Sequence, residues 1–92
     1  MEYNVTDWAG FLEAIAVEGA IVNIAENTVF DLNVIAPEGL TSTIQVYCAT
    51  INGNNSVIKN ITVSDQISVF NFNTNTTIND LHFLNFWIRG DG

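Results

Sequence analysis

Three short segments repeat one pattern, and that repetition limits the fold more than any other feature. They are Val29-Phe30-Asp31-Leu32-Asn33-Val34, Ile58-Lys59-Asn60-Ile61-Thr62-Val63 and Ile78-Asn79-Asp80-Leu81-His82-Phe83. Each reads aliphatic, any residue, Asp or Asn, Ile or Leu, any residue, apolar. The starts are 29 and then 20 residues apart. Unequal offsets argue against a strict short array. They suit a coil whose turns vary in length while the inward residues stay stacked. Asn or Asp at a bend can bond backbone groups that the turn leaves unpaired.

Composition supports a β-rich chain. Thirteen Asn and nine Thr accompany eleven Ile and nine Val. Ile and Val favour the pleated, half-buried surface of strands. Asn tolerates positive φ and serves tight turns. At 92 residues the chain is one domain, read here as a single unit over 1–92. Ten acidic residues against two basic ones give a net charge of −8. Lys59 and Arg89 alone cannot neutralise a row of phosphates, so direct nucleic-acid binding and anionic membrane surfaces are not expected. No apolar run approaches the length of a membrane span, and no signal peptide is visible. The single Cys48 excludes an intrachain disulfide and is compatible with a reducing cytoplasm. It lies in an apolar run, where a buried, inert thiol is expected.

Trp8, Phe11, Leu12 and Ile15 fall on one stripe of a helix over 7–18, with Thr6 or Asp7 as its cap and Gly19 as its stop. Glu13 and Glu18 are expected to face water. Strands are then expected at 21–24, 28–34, 44–47, 57–63, 67–72 and 77–83, with a last apolar piece at 84–88. Glu26-Asn27, Ala36–Gly39 and Asn52-Gly53-Asn54-Asn55 read as turns or loops. One amphipathic helix followed only by strands cannot make a bundle. The fold expected is mainly β: a short right-handed parallel β-solenoid of about three coils over 20–88, capped by the helix. The alternative is an antiparallel β-sandwich.

Val5-Thr6-Asp7-Trp8, Phe11 to Ala16 and Ile21-Val22-Asn23-Ile24 together resemble the opening of right-handed parallel β-helix proteins of the pectate-lyase-like group. Ile51-Asn52-Gly53-Asn54-Asn55 and the segment from Ile78 to Phe83 resemble coils of that group. The resemblance implies an N-terminal helix that plugs the solenoid. It does not imply catalysis, because the calcium-binding acids and basic catalytic residue of the group's lyases have no matching constellation here.

No catalytic, cofactor or metal site is expected, and the chain reads as a non-enzyme. Stacked Asp31, Asp65 and Asp80 raise a calcium site as a minor alternative to corner hydrogen bonds. His82 is expected to point outward, alone. Arg89-Gly90-Asp91 and four Asn-x-Ser/Thr sequons read as chance matches. The candidates for partner binding are apolar: Phe83, Phe86, Trp87 and Ile88 near the end of the coil, and Phe30 and Phe70 on its face, where Tyr47 is also outward. The expected role is a non-catalytic interaction module that binds a protein partner or self-associates through a face or its open C-terminal end. A glycan is a further candidate ligand. The alternatives are an acidic, phage-like decoy of a nucleic-acid-binding protein, and an N-terminal fragment of an adhesin-like or carbohydrate-active β-helix.

Overall fold

A computed structural model describes residues 1–64 and 68–89, with Ser64, Trp87, Ile88 and Arg89 described for their backbone alone. Its elements run β1 (Glu2–Val5), α1 (Trp8–Ile15), β2 (Ile21–Ile24), β3 (Val29–Asp31), α2 (Leu32–Ile35), β4 (Ile44–Val46), β5 (Thr50–Ser64), β6 (Phe70–Phe72) and β7 (Thr77–Arg89). The chain is mainly β, and every strand pairing among the described residues is parallel. That is not the pairing of hairpins in an antiparallel sandwich. One sheet orders β1, β2, β5 and β7 side by side, with β3 also on β5. A second sheet joins β4 to β6.

Register explains why the chain can stack. Tyr3, Val22, Ile51 and Ile78 lie opposite one another, and so do Asn4, Asn23, Asn52 and Asn79. The Asn positions are separated by 19, 29 and 27 residues. Inward aliphatic residues thereby form columns: Val22 and Ile51 are buried, as are Ile58, Ile61 and Val63 further along β5. Ser56 is the buried polar side chain among the described residues. Its hydroxyl accepts from the Thr28 N–H and donates to the Ala25 carbonyl, so nothing is left unpaired.

Asp7 caps α1, accepting from the Gly10 N–H at 2.8 Å. The helix ends at Ile15, short of the expected 18, because the Ile15 carbonyl accepts from the Tyr47 and Cys48 N–H groups. Phe11, Ala14 and Ile15 are buried, and Trp8 and Leu12 pack half-buried beside them. Trp8, Phe11 and Phe30 form a triangle with ring centroids 5.3–5.5 Å apart. The helix thus joins the core through aromatic packing. Glu13 and Glu18 are exposed as expected.

Three expectations are corrected. First, the strand expected at 28–34 stops at Asp31. Its carboxylate accepts from the Asn33 N–H and caps the single turn α2, which leaves Val34 exposed. Second, Asn52 to Asn55 do not end a strand. β5 runs through them, with positive φ at Asn54 and Asn55 and a register shift between Asn52 and Ser56. Third, the repeat slips. Phe30 lies opposite Ile58, and Ile58 opposite Phe83. The third copy of Ile58-Lys59-Asn60-Ile61 is therefore Phe83-Leu84-Asn85-Phe86. β1 is an unexpected strand.

Candidate functional site

β7 is the outer row of its sheet, paired with β5 on one side and with no strand on the other among the described residues. The same column is sealed in one row and open in the next. Ile51, Ile58 and Ile61 are 3%, 0% and 0% exposed, whereas Ile78, Phe83 and Phe86, one row out, are 37%, 39% and 41% exposed. Phe86 stands edge-on to Phe83, with centroids 5.5 Å apart, and Phe83 stands edge-on to Phe70 at 6.1 Å. Phe72 and Leu84 extend the apolar surface. A shallow recess of about 360 Å³ adjoins it, lined by Phe72, Thr74, Asn75, Thr76, Thr77 and Ile78.

Side-chain amides run beside these columns as ladders. The Asn79 amide donates to Asn52 Oδ1 at 3.0 Å, and the Asn52 amide donates to Asn23 Oδ1 at 2.9 Å. The Asn23 amide donates to Asn4 Oδ1 and to Glu2 Oε2. A second ladder runs from Asn85 to Asn60 Oδ1 and from Asn60 to Asp31 Oδ1 at 2.9 Å. A third links Asn55 to Asn27 and Asn27 to Glu26. Each ladder ends on a carboxylate, which when ionised only accepts. In the two ladders that reach β7, Asn79, Asn52 and Asn23, and likewise Asn85 and Asn60, turn their amide nitrogens to the earlier row, and the amide oxygens of Asn23, Asn52 and Asn60 accept from the later one. The Asn60 amide and then the Asn33 N–H hold the Asp31 carboxyl below its ordinary 3.8, with a smaller pull from Lys59 and an opposing push from desolvation. Asn60 and Asn85 both sit at positive φ, so the backbone bends alike in both rows.

The expected partner-binding residues divide. Phe83 and Phe86 lie on the open surface, with Phe70 half-buried at its edge. Phe30 does not belong there: it is 2% exposed beneath Trp8 and Phe11, because Val29 takes the outward position. The Trp87 and Ile88 side chains, Asp65, Ile67 and the Gly90-Asp91 pair lie outside the described residues. Tyr47 is exposed, and His82 points outward with Nε2 3.5 Å from Asp80 Oδ1. Asp31 and Asp80 do not stack. Asp80 sits at the bend where Gly53 to Asn55 lie one row back, and Asn85 takes the place above Asn60. Among the described residues no cluster of His, Cys, Asp or Glu could hold a metal ion. Cys48 is buried, and desolvation raises its thiol pKa.

Charge is distributed unevenly. Glu2, Asp7, Glu13, Glu18, Glu26, Asp31 and Glu38 all precede residue 39, and no acidic residue lies between 39 and 64. β7 carries one carboxylate, Asp80. No helix among the described residues is long and apolar enough to cross a membrane. The ladders escaped sequence reading, although an apolar residue followed by Asn at Tyr3, Val22, Ile51 and Ile78 was their visible signal. The chain matches no family model, and no curated protein or solved structure compared with it gives a significant match.

Proposed function

We propose that this chain is a short parallel β-solenoid, closed at one end by α1, that works as a non-catalytic protein-binding module. The binding surface is the outer edge and apolar face of β7. The occupant is an extended segment of another polypeptide, added as a further parallel row. The observation that carries this reading is the contrast within one column: Ile58 is fully buried under its neighbours, and Phe83, the next residue out, is 39% exposed. Exposed apolar residues beside an unpaired strand edge have the chemistry of strand addition, in which backbone hydrogen bonds give affinity and side-chain contacts give selectivity. The low charge of β7 supports the same reading, since few carboxylates would have to lose water when that edge is covered, most of the chain's acidic residues preceding residue 39.

The test uses a synthetic peptide with the β5 sequence, Thr50–Ser64, which already pairs with β7 along its other edge. Hydrogen exchange is followed on the intact chain as peptide is added. Slowed exchange confined to the backbone of β7 is the expected result. No change in β7 at saturating peptide overturns the reading. Slowed exchange in β7 that rises with protein concentration alone, with a dimer in light scattering, replaces the foreign segment by a second copy of this chain.

A further inference from the structure

The direction of the amide ladders says which segment the open row selects, given the strand-addition reading above. Glu2 and Asp31 root the two ladders that reach β7, so Asn79 and Asn85 turn their amide nitrogens inward, to Asn52 and Asn60. Their Oδ1 atoms are left facing the unpaired side, with no donor among the described residues. Aligned amides polarise one another, which strengthens the terminal carbonyls as acceptors. We infer that the open end of the fold is a donor-selective acceptor: it takes a parallel strand that brings side-chain amide N–H groups over Asn79 and Asn85, with apolar residues over Ile78, Phe83 and Phe86. A carboxylate at either ladder position would set acceptor against acceptor and leave two oxygens desolvated and unpaired.

This property separates two occupants of the β7 edge. Two copies meeting through their β7 edges would place ladder oxygens against ladder oxygens. A parallel row in the register of β5 on β7 instead repeats the filled arrangement of Asn52 over Asn23 and Asn60 over Asp31.

Three peptides test it on the intact chain. The first has the β5 sequence. The second carries Asn52→Asp and Asn60→Asp, at the ladder positions. The third carries Thr50→Asp and Thr62→Asp, which adds the same charge at positions outside the amide ladders and opposite Thr77 and Trp87 rather than Asp80. Affinities are read by fluorescence anisotropy at two salt concentrations. The ladder-substituted peptide is expected to bind at least about tenfold more weakly than the charge-matched one at both, the loss for one unmet buried hydrogen bond or more. Equal affinities for those two peptides overturn the donor selection and leave strand addition standing. Binding by none of the three overturns strand addition and the selection with it.

Discussion

Gly53 lies against the backbone of Asp80. A Cβ placed on Gly53 would overlap the Asp80 carbonyl and the Cα of Leu81, and neither can rotate away. Gly53→Ala is therefore expected to push β5 and β7 apart and cost roughly 2–3 kcal/mol. Gly19 is the comparison. Its φ is +75° but nothing lies within 4 Å of its Cβ position, so Gly19→Ala meets only the left-handed backbone penalty, about 1 kcal/mol. Chemical denaturation of both variants checks the order. Equal losses would mean that the β5–β7 approach is looser than described.

Asp31 links stability to pH. Its carboxyl is held below 3.8 in the fold, chiefly by the Asn60 amide and next by the Asn33 N–H. A lowered folded pKa contributes stability above the unfolded value and loses it as pH falls through the folded value. The wild-type melting temperature is expected to drop toward that of Asp31→Asn as pH is taken from 5 to below about 3. Parallel curves for the two proteins over that range would remove Asp31 as a contributor.

The columns predict opposite sensitivities for facing residues. Ile58 is fully buried and lies opposite Phe83, which is 39% exposed. Ile58→Ala is expected to cost about 2–5 kcal/mol, the usual range for an emptied core position. Phe83→Ala is expected to cost about 1 kcal/mol or less, despite removing the larger side chain. Thermal and urea unfolding of the two variants separates them.

Within the longest ladder, position sets the effect. Asn52 donates to Asn23 and accepts from Asn79, so Asn52→Ala loses two side-chain hydrogen bonds, about 1–2 kcal/mol. Asn79→Ala loses one, about 0.5–1 kcal/mol. A double-mutant cycle on Asn23 and Asn52 is expected to show coupling, and one on Asn4 and Asn79 almost none. Additive losses for the Asn23–Asn52 pair would mean the bond contributes nothing in solution.

Much of this was legible in the residues, and the failures have physical causes. Trp8, Phe11, Leu12 and Ile15 announced α1, and Asp7 its cap, because capping and helical spacing are local properties. The repeat around Ile58 gave the right inward residues for β5. It misassigned the first copy because Val29 and Phe30 are both apolar, and a slip of one residue exchanges the two faces of a strand. That error made Phe30 look outward when it is the floor under Trp8. Asn52-Gly53 read as a turn because its chemistry fits one. Here the same residues bend a strand without ending it, which only the neighbouring row decides. The open surface at Phe83 and Phe86 was legible as an apolar run. The ladder direction was not, since it depends on which carboxylates lie at the far end of a stack.

Asn52-Gly53 also bears on how the chain ages. Asn followed by Gly is prone to deamidation, in which the Gly nitrogen attacks the Asn side-chain carbonyl carbon, ammonia leaves, and water opens the resulting succinimide to a carboxylate. Here Asn52 is fixed by hydrogen bonds on both sides and Gly53 is enclosed by Asp80. Native packing therefore restrains the Asn52 rotation that the attack needs, and the reaction is expected to run more slowly in the fold than in unfolded molecules. A chain modified there would refold with a carboxylate facing Asn23 Oδ1, so old damage would register as a misdirected stack.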